Sequence, residues 1–216
     1  MTESNEANSE TNIAEVPSSA QWTIRSAPPS GLSTNFHNIP PLWAHLAYTR
    51  GIRSPEELEV FTHPESQPLH DPFLIPDVDS AVSRLIQAQT RNEVVAIFGD
   101  FDTDGISATA LLCRALKNLN IPVLPYIPNR AEEGHGLNTQ AMGELLDRGV
   151  TLLITVDCGV TSHQEIAWGN DHGLDVIITD HHAPGSTLPD AVAIVNTARS
   201  DSQYPFEHLT GVGTAF

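Results

Sequence analysis

Three features of the sequence predict an α/β fold built on a doubly wound, mainly parallel sheet, preceded by a disordered acidic N-terminal tail. Apolar, β-branched runs recur at 94–98, 123–127, 152–156, 175–179 and 191–195, and segments with helical spacing separate most of them. Three of these runs end on carboxylates or imidazoles: Asp100, Asp102 and Asp104 after the first, Asp157 after the third, Asp180-His181-His182 after the fourth. In open α/β sheets that edge is where ligands bind.

In chain order, residues 1–35 form the tail and a lead-in. The first twenty are rich in Ser, Asn, Glu and Thr, with Glu3, Glu6, Glu10 and Glu15 and no Lys or Arg, a composition unable to bury a core. Pro28, Pro29, Pro40 and Pro41 predict irregular chain. Residues 36–76 form a small helical and extended element. Ser54-Pro55-Glu56-Glu57 opens its helix, with Ser54 as N-cap, Pro55 at the first helical position and Glu57 completing a capping box. The four prolines of 62–76 predict an extended connector.

Residues 77–216 form the main domain. Val78, Ala81, Val82, Leu85 and Ile86 have helical spacing, as do Ala108, Leu111, Leu112, Ala115 and Leu119. Asn138 caps a helix carrying Ala141, Leu145 and Leu146, and Ser162 to Glu165 predicts a second capping box. The closing Thr210-Gly211-Val212-Gly213-Thr214-Ala215-Phe216 opens a helix without a cap or polar tail, so the domain is expected to be truncated at its C-terminus.

A hydrophobic fraction of 40% supports a core, while 27 acidic against 10 basic side chains give a formal charge of −17, which argues against a dedicated nucleic-acid surface in this segment. Two cysteines, Cys113 and Cys158, fit a reducing compartment. With no bilayer-length apolar stretch and no basic, apolar signal pattern, a cytoplasmic location without membrane association is expected.

The aspartate cluster carries the most chemistry. Three carboxylates at alternate positions, with no Lys or Arg among them, repel one another unless a divalent cation supplies positive charge. An EF-hand loop would need Glu at its twelfth position, which is Leu111 here, and a helix where the strand stands. A solvated acidic turn is the plain alternative, but Asp157 and the Asp-His-His triplet make coincidence a poor explanation. Carboxylate with imidazole suits manganese, iron or zinc better than calcium. Cys158 follows Asp157 and is a minor candidate for the same site.

Together, GDFDTDG, IPNRAEEGHGL, ITVDCG, TDHH and GVGTAF resemble the DHH phosphoesterase superfamily. The GDFDTDG form, the IPNR segment and His70-Asp71-Pro72-Phe73 most resemble its single-stranded-DNA-specific 5′ exonucleases, over about residues 40–216. The resemblance implies a DHH-type domain holding two divalent cations, Mn²⁺ rather than Mg²⁺, that removes nucleotides from the 5′ end of single-stranded DNA in repair and recombination. It implies Asp100, Asp102, Asp104, Asp157 and His181 as metal ligands, with Asp157 bridging both ions. His182 would stand beside the scissile phosphate as a catalytic group, and Asp180 would orient the histidines. Two cations roughly 3.5–4 Å apart activate a water and clamp the attacking and leaving oxygens, which is what phosphodiester hydrolysis needs.

Arg130 is a candidate phosphate contact, with an ordinary salt bridge to Glu132, Glu133 or another acid as the alternative. Gly211 and Gly213 let backbone approach the substrate, or else permit a tight turn. His135 stands where relatives more often have Tyr, and His37, His45, His63 and His172 are scattered.

Relatives of this kind supply a further aspartate ligand well downstream of the triplet, whereas 34 residues follow His182 here. The chain by itself is therefore expected to be weakly active or inactive. A single-strand-binding protein and a helicase are expected partners of the full-length protein. Other readings within the superfamily are an oligoribonucleotide or cyclic-dinucleotide phosphodiesterase or a pyrophosphatase. These more often carry a histidine just upstream of the aspartates, where this chain has Ile97-Phe98-Gly99. A non-catalytic scaffold is the reading from another class.

Overall fold

The computed structural model describes residues 36, 39–134 and 136–216. The expected tail, His37 and His135 lie outside the described residues. The chain divides into two compact units, Met1–Pro68 and Leu69–Phe216.

In the first unit, helices α1 (Pro41–Thr49) and α2 (Pro55–Thr62) enclose a small core of Phe36, Ala44, Ala47 and Ile52. Helix α1 corrects the expectation of irregular chain. Pro41 stands at the first helical position, where its missing N–H has no intrahelical partner to lose. Helix α2 begins with the expected capping box. Ser54 Oγ accepts from the Glu57 N–H at 3.2 Å, and Glu57 Oε2 accepts from the Ser54 N–H at 3.3 Å.

The boundary expected at residue 76 lies inside the second unit. Pro64 and Pro72 open short 3₁₀ turns instead of extending the chain. Leu74 O accepts from the Gln203 N–H at 3.1 Å, and Ile75 is buried in the main core, so residues 69–76 belong to the second unit.

The second unit then alternates regularly. Helix α3 (Val78–Arg91) leads into β1 (Val94–Gly99), α4 (Thr103–Asn118) and β2 (Val123–Tyr126). The short α5 (Arg130–Glu133) and α6 (Thr139–Asp147) precede β3 (Val150–Val156) and α7 (His163–Asp171). Strands β4 (Asp175–Thr179) and β5 (Ala193–Val195) and helix α8 (Gly211–Ala215) complete it. The five strands are parallel in the order β2-β1-β3-β4-β5. In this order the winding direction reverses between β1 and β3, which opens a crevice at their C-terminal ends.

Both sheet faces are covered, so the strands read as continuous apolar runs. Val95, Ile97, Leu152, Ile154 and Ile177 pack with Ala88 of α3 and Ala108 and Leu116 of α4. Ala96, Phe98, Leu153, Val176 and Ile178 pack with Met142 and Leu145 of α6 and Ile166 of α7. Alternation along each strand thus feeds two cores.

Asn138 caps α6 as expected, its Oδ1 accepting from the Ala141 N–H at 2.8 Å. The capping box expected at Ser162 is absent. Its backbone, at φ −84° and ψ 56°, departs from the extended conformation that aims a cap oxygen at the third helical N–H. Among the described residues no helix is long and apolar enough to cross a membrane.

Candidate metal centre

Strand β1 delivers Asp100, and the turn into α4 delivers Asp102 and Asp104. Asp102 is the N-cap of α4, its Oδ1 accepting from the N–H groups of Asp104 at 2.8 Å and Gly105 at 3.0 Å. That role fixes the carboxyl group and leaves Oδ2 for a ligand. A Cβ at Gly105 would overlap the Asp100 backbone, so only glycine lets the turn close this tightly.

Strand β3 delivers Asp157, which is 3% exposed and has the left-handed φ of 63°. Its N–H donates to Thr179 O at 2.9 Å, anchoring the turn to β4. Such a conformation in a non-glycine residue costs of order 1–3 kcal/mol and concentrates at functional sites.

Strand β4 delivers Asp180, His181 and His182. The Asp180 carboxylate is 1% exposed and fully engaged. Its Oδ1 accepts from the His181 N–H at 2.8 Å, the His182 N–H at 3.1 Å and His182 Nδ1 at 2.7 Å. Its Oδ2 accepts from the Val160 N–H at 3.0 Å. Asp180 therefore orients the histidines and leaves His182 Nε2 as the outward nitrogen.

Two sets of metal-competent atoms result, each within 4.8 Å: Asp157 with His181 and His182, and Asp100 with Asp102 and Asp157. Asp157 belongs to both. His182 also joins a set. Asp104 joins neither set. Its Oδ2 and Oδ1 accept from the N–H groups of Gly211 and Val212, each at 2.7 Å, and its Oδ2 lies 3.8 Å from His181 Nε2.

The electrostatics fit a bound cation. Burial first, and then the Asp104 carboxylate, push the Asp157 carboxyl up to about 6. Burial pulls the His182 imidazole down, but the bond to Asp180 and the surrounding carboxylates outweigh it and raise it. His181 Nε2 stands 3.0 Å from Asp157 Oδ1 without hydrogen-bonding alignment, and this buried oxygen has no hydrogen-bond partner among the described residues. An orphaned buried carboxylate oxygen is costly, and a divalent cation would satisfy it. Carboxylates and imidazoles together suit manganese, iron or zinc better than calcium.

Beside these groups a cavity of about 390 Å³ is lined by Asp100, Asp157, His182, Gly136, Leu137 and Thr161, among others. Sequence reasoning missed its 136–137 wall and the Gly159–Ser162 turn. The glycine closing Val156-Asp157-Cys158-Gly159, which takes a φ of 109°, was the available signal. Cys158 also lines the cavity but belongs to neither metal-competent set, and burial pushes its thiol well above the ordinary range.

Arg130 lies with its guanidinium 4.9 Å from the centre of the Phe101 ring, between two candidate ligands in sequence. Among the described residues it makes no ion pair with Glu133, whose oxygens accept from Tyr126, Asn129 and Asn138. Gly211 is packed against Asp157, whereas Gly213 donates its N–H to Thr210 Oγ1 at 3.1 Å and stands off the acidic cluster.

Comparison with known proteins gives a consistent picture. Residues 94–216 match the model described as "DHH family, N-terminal domain". The chain is 41% identical over 179 residues to the single-stranded-DNA-specific exonuclease RecJ of Bacillus subtilis, covering 83% of this chain and 23% of that protein. It is 33% identical over 201 residues to RecJ of Thermus thermophilus, covering 91% and 28%. Among solved structures, it resembles Thermus thermophilus RecJ in complex with Mn²⁺, with a TM-score of 0.64 and 31% identity over 88% of this chain and 26% of that one. It also resembles an exonuclease RecJ bound to manganese, with a TM-score of 0.58 and 36% identity over 69% and 36%. The chain thus spans about a quarter of the length of these curated relatives.

Proposed function

The chain belongs to the DHH family, and from that premise we propose that it is the metal-binding part of a two-metal phosphodiesterase that removes nucleotides from the 5′ end of single-stranded DNA. The observation that carries this reading is Asp157, a buried carboxylate with one oxygen that accepts no hydrogen bond among the described residues, shared between an Asp100–Asp102 side and a His181–His182 side. The resemblance to RecJ exonucleases supports the substrate, and the manganese-bound structures among them support Mn²⁺ as an ion for such a site.

Asp100, Asp102, Asp157 and His181 would hold the ions, with Asp104 at the edge of the cluster. Bound divalent cations lower the pKa of a water and neutralise charge on the phosphoryl oxygens. The protein's own groups do the remainder. Asp180 fixes the His182 ring through Nδ1, so that Nε2 can serve the phosphate or its leaving oxygen as a hydrogen-bond donor. Arg130 can engage a phosphate through two nitrogens. The charge of −17 means that bound cations must offset the acidic cluster before a polyanion approaches it. In the full-length protein this activity serves DNA repair and recombination in the cytoplasm, alongside a single-strand-binding protein and a helicase.

The deciding experiment is Mn²⁺-dependent release of label from 5′-labelled and 3′-labelled single-stranded DNA, with duplex DNA and short RNA as competitors and Asp157→Ala alongside. Cleavage by this chain alone is expected to be weak at most; where it occurs, early loss of the 5′ label, abolished by the substitution, is expected. Preferential loss of the 3′ label, or preference for RNA, would replace the proposed substrate. Absence of both cleavage and Mn²⁺ binding would remove the site.

A further inference from the structure

We propose that Glu133 is a positioning residue for substrate binding: its one carboxylate ties both ends of the 129–138 loop to strand β2, and so holds Arg130 and the Gly136–Leu137 wall beside the metal centre. The inference rests on the reading of Arg130 as a phosphate contact.

Three donors converge on this carboxylate. The Tyr126 hydroxyl donates to Oε2 at 2.7 Å, the Asn129 N–H donates to Oε1 at 2.7 Å, and Asn138 Nδ2 donates to Oε2 at 3.3 Å. Asn129 and Asn138 are themselves the N-caps of α5 and α6, their Oδ1 atoms accepting from Ala131 at 3.1 Å and Ala141 at 2.8 Å. Glu133 therefore joins the start of one helix to the start of the next, across the loop that carries the cavity wall.

The anchor behind it is rigid. The Tyr126 ring stacks on Phe98, with centroids 5.4 Å apart and planes 11° from parallel, and Phe98 is fully buried in β1. A continuous path runs from the sheet through Phe98, Tyr126 and Glu133 to both ends of the loop. On that loop Arg130 reaches over Phe101, while Gly136 and Leu137 face a cavity shared with Asp100, Asp157 and His182.

The charge state agrees with the geometry. Three donors need an acceptor-only partner, which an ionised carboxylate is. The Asn129 N–H foremost, with Tyr126 and Asn138 overcoming burial, holds the Glu133 carboxyl below the ordinary range. Glu133 has no other evident task. It is outside both metal-competent sets, and its oxygens are spent on Tyr126, Asn129 and Asn138.

The test measures binding of a 5′-phosphorylated phosphorothioate oligothymidylate by this chain in Mn²⁺, by fluorescence anisotropy over a salt series, with Mn²⁺ affinity measured separately. Glu133→Ala should weaken DNA binding about tenfold. It should also reduce the slope of log K against log salt by about 0.7, one phosphate contact on a single strand, with Mn²⁺ affinity unchanged. Glu133→Gln keeps an acceptor for the Asn129 N–H and should retain most of the binding. Arg130→Ala should give the same slope change, and adding Glu133→Ala to it should lower the slope no further.

A slope loss in Arg130→Ala but not in Glu133→Ala would overturn the positioning role and leave the phosphate reading standing. An equal loss of Mn²⁺ and DNA affinity in Glu133→Ala would also overturn it, since the residue would then be general support. Unchanged DNA binding in Arg130→Ala would overturn the phosphate reading, and the positioning role with it. If Glu133→Ala is too unstable to purify, Tyr126→Phe carries the test. Weaker DNA binding at unchanged Mn²⁺ affinity supports the proposal, and unchanged DNA binding overturns it.

Discussion

Gly211 is packed against Asp157 with no space for a side chain: a methyl group on its Cα would stand 2.5 Å from Asp157 Oδ1 and 2.6 Å from Cβ and Cγ. The same glycine donates its N–H to Asp104 Oδ2 at 2.7 Å. The start of α8 thereby touches carboxylates delivered by two different elements, the first turn of α4 and the end of β3. Gly211→Ala must displace Asp157, and we expect Mn²⁺ affinity to fall about 10–100-fold. Gly213→Ala meets nothing nearer than 3.4 Å and should bind Mn²⁺ as the parent does. Calorimetric titration of the two variants checks the contrast.

Asp157 gives the centre a defined response to acid. Its carboxyl is raised to about 6 in the folded chain, from burial first and Asp104 next. A cation competes with that proton, so Mn²⁺ affinity should fall as pH drops through about 6. The metal-free fold should respond in the opposite sense. Between the ordinary aspartate range and about 6 the folded chain binds more protons than the unfolded chain, so its stability declines as pH rises through that window. Asp157→Asn should therefore melt higher than the parent at pH ~7.5 without metal and gain nothing from added Mn²⁺. Thermal melts with and without Mn²⁺ test both signs.

Asp180 holds three N–H groups and one imidazole nitrogen in a buried setting. Asp180→Ala would strand the Val160 N–H and release the His182 ring. We expect a loss of roughly 3 kcal/mol in urea unfolding, and weaker Mn²⁺ binding as well. Normal stability in this variant would mean that the carboxylate orients nothing.

At the opposite edge of the sheet, Arg84 is 8% exposed and bonds Glu93 through Nη2 and Asp175 through Nε, each at 2.6 Å. Burial pushes the Glu93 carboxyl up, but Arg84 and Thr151 outweigh this and hold it below the ordinary glutamate range. Its stabilising contribution is therefore complete above that range and lost as pH falls through the lowered value. Arg84→Ala leaves the largely buried Glu93 with only the Thr151 hydroxyl at 2.9 Å and the exposed Arg91 at 3.7 Å, and should cost about 3 kcal/mol at neutral pH. Arg84→Met with Glu93→Gln should recover much of the loss, as urea denaturation would report.

The fold was legible in the sequence where structure is set by local pattern. Strands buried on both faces need unbroken apolar runs, and β1, β3 and β4 stand where those runs are. The capping box at Ser54 and the cap at Asn138 were legible because each closes within three residues. Helix α1 was not, because a proline that breaks a helix interior is acceptable at its first turn. Ser162 misled for the converse reason: the residue types of a capping box were present, but the Gly159–Ser162 turn holds its backbone outside the cap conformation.

By itself the sequence determined which chemistry is available. It placed carboxylates and imidazoles directly after apolar strands, and strands buried in one parallel sheet must present those ends along a common edge. Tertiary structure decided how they divide the work. Strand order sets β3 between β1 and β4, which makes Asp157 common to both metal-competent sets. The return of the chain at Gly211 and Val212, more than a hundred residues after Asp104, engages both oxygens of that aspartate. Such contacts depend on register, backbone angles and side-chain orientation between segments far apart in the chain, and no local pattern encodes them.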